Sequence, residues 1–128
     1  MARARRTWFW VLRHTLNPVV LGLARAGRGP FSLVRHVGRR TGRAYETPLL
    51  LARVREGFVA ELTYGEDVDW YRNVVAAGGG GLLVGGVSYR IASVEGYPTE
   101  AGRRAFGFPA RYVLALLRRR EFRLLRVE

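Results

Sequence analysis

The run Gly38-Arg39-Arg40-Thr41-Gly42-Arg43 is the segment best suited to hold an anion. Its two glycines permit a tight turn with outward-facing backbone N–H groups. Such a turn can form a concave nest for phosphate oxygens. The arginine forks and the threonine hydroxyl add donors, and each charge-assisted hydrogen bond to phosphate contributes about 1.5–3 kcal/mol. A solvated hairpin turn with ordinary surface arginines has the same composition. A second segment, Thr63-Tyr64-Gly65 followed by Asp69-Trp70-Tyr71-Arg72-Asn73, joins a strand end, a glycine and an aromatic-rich helix start. Parts of this kind build a flat, apolar slot with a few polar groups. Asn73 falls one helical turn after Asp69 and Trp70, so these side chains can share a face. The plainer reading is a capped helix whose Trp70 packs on a sheet.

Other chemistries are excluded or weak. The chain has no cysteine, which removes disulfides, thiolate metal sites and a cysteine nucleophile. It has no HExxH and no metal-ligand cluster, so no metal is expected. The glycines at 78–81 are not followed by Lys-Ser/Thr and do not make a P-loop. His36 precedes the basic turn, on a different strand face from Arg35 and Val37. As a lone histidine it makes neither a triad nor a metal site, and it reads as structural.

The formal charge is +12, carried by arginine with no lysine at all. Such a surplus favours anionic partners: a phosphorylated cofactor, nucleic acid or a membrane surface. No helix-turn-helix, zinc finger or aromatic RNA-binding pattern is present, so nucleic acid is disfavoured. Arg3, Arg5 and Arg6 beside Trp8, Phe9 and Trp10 suit a membrane interface. Residues 3–16 are therefore the expected contact with an anionic membrane surface. A barrel-packing helix with a basic tail is the alternative. No apolar stretch is long enough to span a bilayer, and no signal peptide is recognisable. A cytoplasmic location, peripheral on the inner membrane face if residues 3–16 engage lipid, is expected.

The elements that must position these groups follow from periodicity and glycine. Residues 1–128 read as one domain, with 1–28 a basic amphipathic helical segment. Apolar spacings of three and four predict helix from Thr7 to about Ala26, with Pro18 a break or kink and Gly27–Pro30 the end. Phe31–Val37, Tyr45–Val54 and Phe58–Tyr64 are expected as three strands of an antiparallel meander. Asp69 is expected to cap a helix from Trp70 to Ala77, ended by Gly78. A hairpin around Gly85-Gly86 follows, joining 82–84 to 87–93. Thr99 is expected to cap a helix over 100–106, Pro109 to start another, and Phe122–Val127 to close the sheet. A partly closed antiparallel barrel of about six strands with peripheral helices fits this order, with an open α+β sandwich as the alternative.

The two segments together resemble a family. Gly38-Arg39-Arg40-Thr41-Gly42-Arg43-Ala44-Tyr45-Glu46-Thr47-Pro48-Leu49 looks like the glycine- and arginine-rich signature of the deazaflavin-dependent nitroreductases. Tyr64-Gly65 and Asp69-Trp70-Tyr71-Arg72-Asn73, ahead of Ala76-Ala77-Gly78, look like its second signature. The resemblance covers roughly residues 17–93. It implies a split β-barrel of the FMN-binding type and an oxidoreductase that passes hydride from reduced coenzyme F420 to a small organic acceptor. That acceptor would be a quinone, nitro or enone compound. FMN is the alternative cofactor, and a non-catalytic barrel holding flavin, haem or a lipid-like ligand is the alternative function.

The resemblance also implies roles. Arg39, Arg40, Thr41 and Gly42 would hold the phosphate or acidic tail. Tyr45, Thr47, Pro48 and Leu49 would lie along the coenzyme. Thr63, Tyr64 and Gly65 would border the ring, and Asp69, Trp70 and Asn73 would close the site. Tyr64 would be the proton donor, and Tyr112 a weaker candidate. A homodimer sharing the site would be natural. Nitroreducing members often carry a basic residue where this chain has Tyr45, and the region after Gly96 matches no family pattern.

Overall fold

Helix α1 (Asn17–Arg25) is the first element of the computed structural model, which describes residues 17–62 and 65–128. Residues 1–16, including the expected membrane-contact segment, lie outside the described residues, as do Thr63 and Tyr64. Gly27 ends α1 as expected: it takes φ 74°, and the N–H of Arg28 reaches back to the carbonyl of Leu23 at 2.8 Å. A left-handed glycine followed by this bond satisfies carbonyls that the last helical turn leaves open.

Seven strands follow: β1 (Ser32–Val37), β2 (Ala44–Leu49), β3 (Leu51–Val54), β4 (Gly57–Glu61), β5 (Gly80–Val84), β6 (Val87–Tyr97) and β7 (Phe122–Val127). They form one antiparallel sheet in the order β2-β1-β5-β6-β7-β4-β3. β2 and β3 stand at opposite ends of that order, yet only Leu50 separates them in the chain. The sheet must therefore curl until its two ends meet at Leu50. It is a split barrel, closed there by the covalent chain.

This corrects two expectations. The single strand over 45–54 is two strands, which raises the count from about six to seven. The expected meander is two hairpins, β1–β2 and β3–β4, at opposite ends of the sheet. The register explains why Pro48 is tolerated. Gly38 and Arg43 are a hydrogen-bonded pair at 2.8 Å, so alternation turns the backbone of Ala44, Glu46 and Pro48 toward the unpaired edge of β2. A proline there costs no ladder bond.

The barrel interior holds Val34, Phe58, Ala60, Leu82, Ile91 and Leu125. Helix α2 (Asp69–Ala77) plugs it with Trp70 and Val74. Burying a side chain such as Val74 contributes about 1.5–3 kcal/mol. Gly78 ends α2 as expected, with φ 72°. The glycine run beyond it lets α2 lie close: a Cβ on Gly80 would come within 2.8 Å of the Arg35 carbonyl and 3.4 Å of Val74. Outside the barrel, α1 covers Leu33 and Leu83 through Ala24. Helices α3 (Thr99–Ala105) and α4 (Ala110–Leu116) cover the outer face of β3, β4 and β7, with Ala105, Phe106 and Leu114 against Val59, Phe122 and Leu124.

Two helix caps differ from expectation. The residue before α2 is Val68, and Asp69 makes no cap because its carboxylate pairs with Arg39. Thr99 likewise gives its hydroxyl to the carbonyl of Arg120 at 3.0 Å, and Pro98 precedes α3.

Candidate functional site

The Gly38–Gly42 turn joins β1 to β2 and lies against α2. Gly42 takes φ 73° and donates its N–H to the Gly38 carbonyl at 2.9 Å, which closes the turn. The turn is tied to α2 through Asn73. The Oδ1 of Asn73 accepts from the backbone N–H of Arg39 at 3.1 Å and from its guanidinium Nη1 at 2.8 Å. The same guanidinium reaches Asp69 at 3.3 Å. Arg39 is thus a structural tether, its side chain only 24% exposed.

These bonds fix a longer chain. With Oδ1 accepting, the Asn73 amide presents its Nδ2 as donor to Nδ1 of His36 at 2.9 Å. His36 is then the neutral tautomer with its proton on Nε2, which donates to Thr47 Oγ1 at 2.8 Å. Burial holds the His36 ring below its ordinary pKa, against the opposing pull of the Asp69 carboxylate. Tyr45 stacks on the imidazole with ring centroids 5.6 Å apart. The network runs Arg39, Asn73, His36, Thr47 and crosses from turn to helix to both strands of the hairpin.

Along this network opens a cavity of about 560 Å³. Arg39, Arg40, Thr41, Tyr45, Thr47 and Pro48 line it from the turn and β2, and Asp69 and Asn73 line it from α2. Gly38, His36 and Glu46 complete the wall. Eight of the expected cofactor-binding residues therefore meet in one place. Others do not. Trp70 is buried in the barrel interior, and Leu49 packs against that interior. Gly42 ends the turn away from the cavity lining, and Gly65 (φ 84°) stands in the loop before α2. Thr63 and Tyr64 are outside the described residues, so the expected proton donor has no described position. The other tyrosine considered, Tyr112, lies on α4 with its ring exposed.

His36 is the residue that sequence reasoning missed as part of the site. Its partners lie 11 and 37 residues away, beyond any local pattern. Its placement directly opposite Tyr45 in the hairpin was the one available signal.

The turn has the donors an acidic group needs. The backbone N–H groups of Arg40 and Thr41 have no acceptor among the described residues, and neither do the guanidiniums of Arg40 and Arg43. Glu46 also lines the cavity, but its carboxylate is occupied. One of its oxygens takes Arg25 at 2.6 Å and the other takes Arg35 at 3.1 Å, which holds its carboxyl below the usual range. Among the described residues no three His, Asp or Glu side chains converge on a possible metal position.

The fold and this site define a split-barrel protein with an arginine-rich turn beside an open cleft. Among solved structures, the chain is similar to one titled "Structure of F420-H2 Dependent Reductase (FDR-A)". The two share 17% identity and a TM-score of 0.55, over 77% of this chain and 94% of that one. At that identity the likeness establishes the fold. No protein-family model and no curated protein matches the chain.

Proposed function

We propose that this protein is an oxidoreductase that uses reduced coenzyme F420, with a small organic molecule as hydride acceptor. The observation that carries the reading is the cleft beside β2, walled by the basic turn and by α2, in which eight residues expected from the family resemblance meet. The fold likeness to a structure titled as an F420-H2 dependent reductase supports it.

The donors fit the coenzyme's acidic tail. Arg40, with the N–H groups of Arg40 and Thr41 that have no acceptor among the described residues, would take the phosphate. The stacked Tyr45–His36 pair and Pro48 give the cleft a flatter, less polar wall. When bound, the deazaflavin supplies the hydride. The protein's share is to hold it, exclude water and keep nearby protons in place. The neutral His36 serves that last task, because its Nε2–H fixes the Thr47 hydroxyl oxygen as an acceptor and leaves the hydroxyl proton aimed elsewhere. Tyr64 remains the proposed proton donor to the product.

The test is a titration of the full chain with coenzyme F420, FMN and haem, followed by fluorescence or absorbance. Saturable binding of coenzyme F420, and oxidation of its reduced form by a quinone or nitroaromatic compound, is expected. Binding without turnover would make the protein a coenzyme carrier. Failure to bind coenzyme F420 would overturn the proposal.

A further inference from the structure

Helix α4 is apolar on both sides. Leu114 faces inward to the cluster around Phe122, whereas Tyr112, Val113, Leu116 and Leu117 face out. Phe108, one turn before Tyr112, continues the outer stripe and packs edge-on against that ring at 6.0 Å. Phe108 is 83% exposed and Leu116 82%. A contiguous apolar face of this kind marks a contact with something else.

The charge around the stripe indicates what that is. Residues 101–120 contain six arginines and no acidic residue. Arg103 and Arg119 turn back to Glu100 and Glu61. Arg104, Arg111, Arg118 and Arg120 are exposed and make no ion pair among the described residues. Arg111 folds over the Tyr112 ring at 4.8 Å, which places its charge beside the apolar stripe. Exposed bulky apolar side chains with Arg111 beside them and three more unpaired arginines in the same segment match the two layers of an anionic bilayer surface, acyl boundary and phosphate. A second copy of this chain, also strongly basic, would oppose rather than complement those arginines.

We propose that the α4 face docks on anionic lipid membranes. Phe108 and Leu116 enter the acyl boundary, while Arg104, Arg111, Arg118 and Arg120 meet the headgroup phosphates. The proposal does not depend on the coenzyme, and either idea can fail alone.

The experiment uses the full chain with vesicles of phosphatidylcholine, with and without phosphatidylglycerol. The absence of native cysteine allows one environment-sensitive dye to be placed through Val113→Cys. Pelleting with the anionic vesicles and a blue shift of the dye are expected, with neither on neutral vesicles. Phe108→Ser combined with Leu116→Ser should weaken vesicle binding at least tenfold. Both side chains are exposed, so folding should survive, and an unchanged far-ultraviolet spectrum checks this. Equal pelleting of the double variant would overturn the proposal and assign any binding to another surface, such as the segment over 3–16. A dye shift that follows protein concentration without vesicles would overturn it in favour of self-association. Equal binding to neutral vesicles would overturn the role of the arginines.

Discussion

Replacing Asn73 with alanine removes three hydrogen bonds at once from a site that is 4% exposed. Two go to Arg39 and one to His36, and the consequences differ. The Arg39 guanidinium lies near solvent and can turn to water, so that loss falls at the low end of the range for charged bonds, about 1.5 kcal/mol. The Arg39 backbone N–H loses a neutral bond, again about 1 kcal/mol. His36, 6% exposed, keeps an unpaired Nδ1 away from water, which costs about 1–3 kcal/mol. The sum is about 3.5–5.5 kcal/mol. For a chain of this length that corresponds to a fall in Tm of about 14–22 °C. Urea unfolding followed by tryptophan fluorescence measures it directly, since Trp70 is buried one turn away. A loss below about 1 kcal/mol would refute the view that Asn73 couples the turn to α2. Asn73→Asp checks the contact with His36. Its carboxylate still accepts from Arg39 but faces the lone pair of His36 Nδ1, so it favours the imidazolium. The NMR titration midpoint of His36 should rise from its lowered value in the parent. A midpoint that does not rise would refute the contact between residue 73 and the His36 ring.

Further outcomes follow from the same geometry. Arg40→Ala should weaken coenzyme F420 binding at least tenfold by calorimetry while leaving Tm nearly unchanged, because its guanidinium has no partner among the described residues. Arg39→Ala should instead lower Tm. Because the folded His36 value lies below 6.5, the unfolded chain takes up the proton first as pH falls. Stability should therefore be full above about pH 6.5 and decline from there through the folded value; urea midpoints across pH 5–7.5 should show this slope, and His36→Gln should flatten it. Gly102→Ala in α3 would gain helix propensity of about 1 kcal/mol, but its Cβ would meet the buried Phe122 ring. Overpacking costs about 1–3 kcal/mol, so a net loss of up to about 2 kcal/mol is expected, measurable by thermal unfolding.

Local chemistry made much of the fold readable. Gly27 and Gly78 stop helices because their positive φ is a property of the residue itself, and Gly85-Gly86 and Glu56-Gly57 mark hairpins for the same reason. Phe122–Val127 stands where its apolar run indicated. What needed distant partners was hidden. The run Leu49-Leu50-Leu51 has no polar alternation, so nothing local shows that the chain changes sheet ends at Leu50. Asp69 has every local property of a helix cap, yet Arg39, 30 residues away, claims its carboxylate. Arg39 itself looks like Arg40 in sequence. Only the contact with α2 separates a tether from an available cation. Trp70 satisfies a slot and a core equally well by its spacing, and the barrel interior claims it.

The place of β7 in the sheet bears on how the chain is made. It is the last strand in sequence, yet it lies between β6 and β4. Until it emerges from the ribosome, the sheet exists only as β2-β1-β5-β6 and the β3–β4 hairpin, joined covalently at Leu50 but unpaired along the gap. Phe58, Val59 and Ala60, buried in the finished protein, then lack the strand that covers one edge of β4. Vectorial synthesis therefore cannot complete this core piecemeal. The barrel closes in one late, long-range step, and a nascent chain halted before residue 122 presents two open strand edges to whatever is nearby.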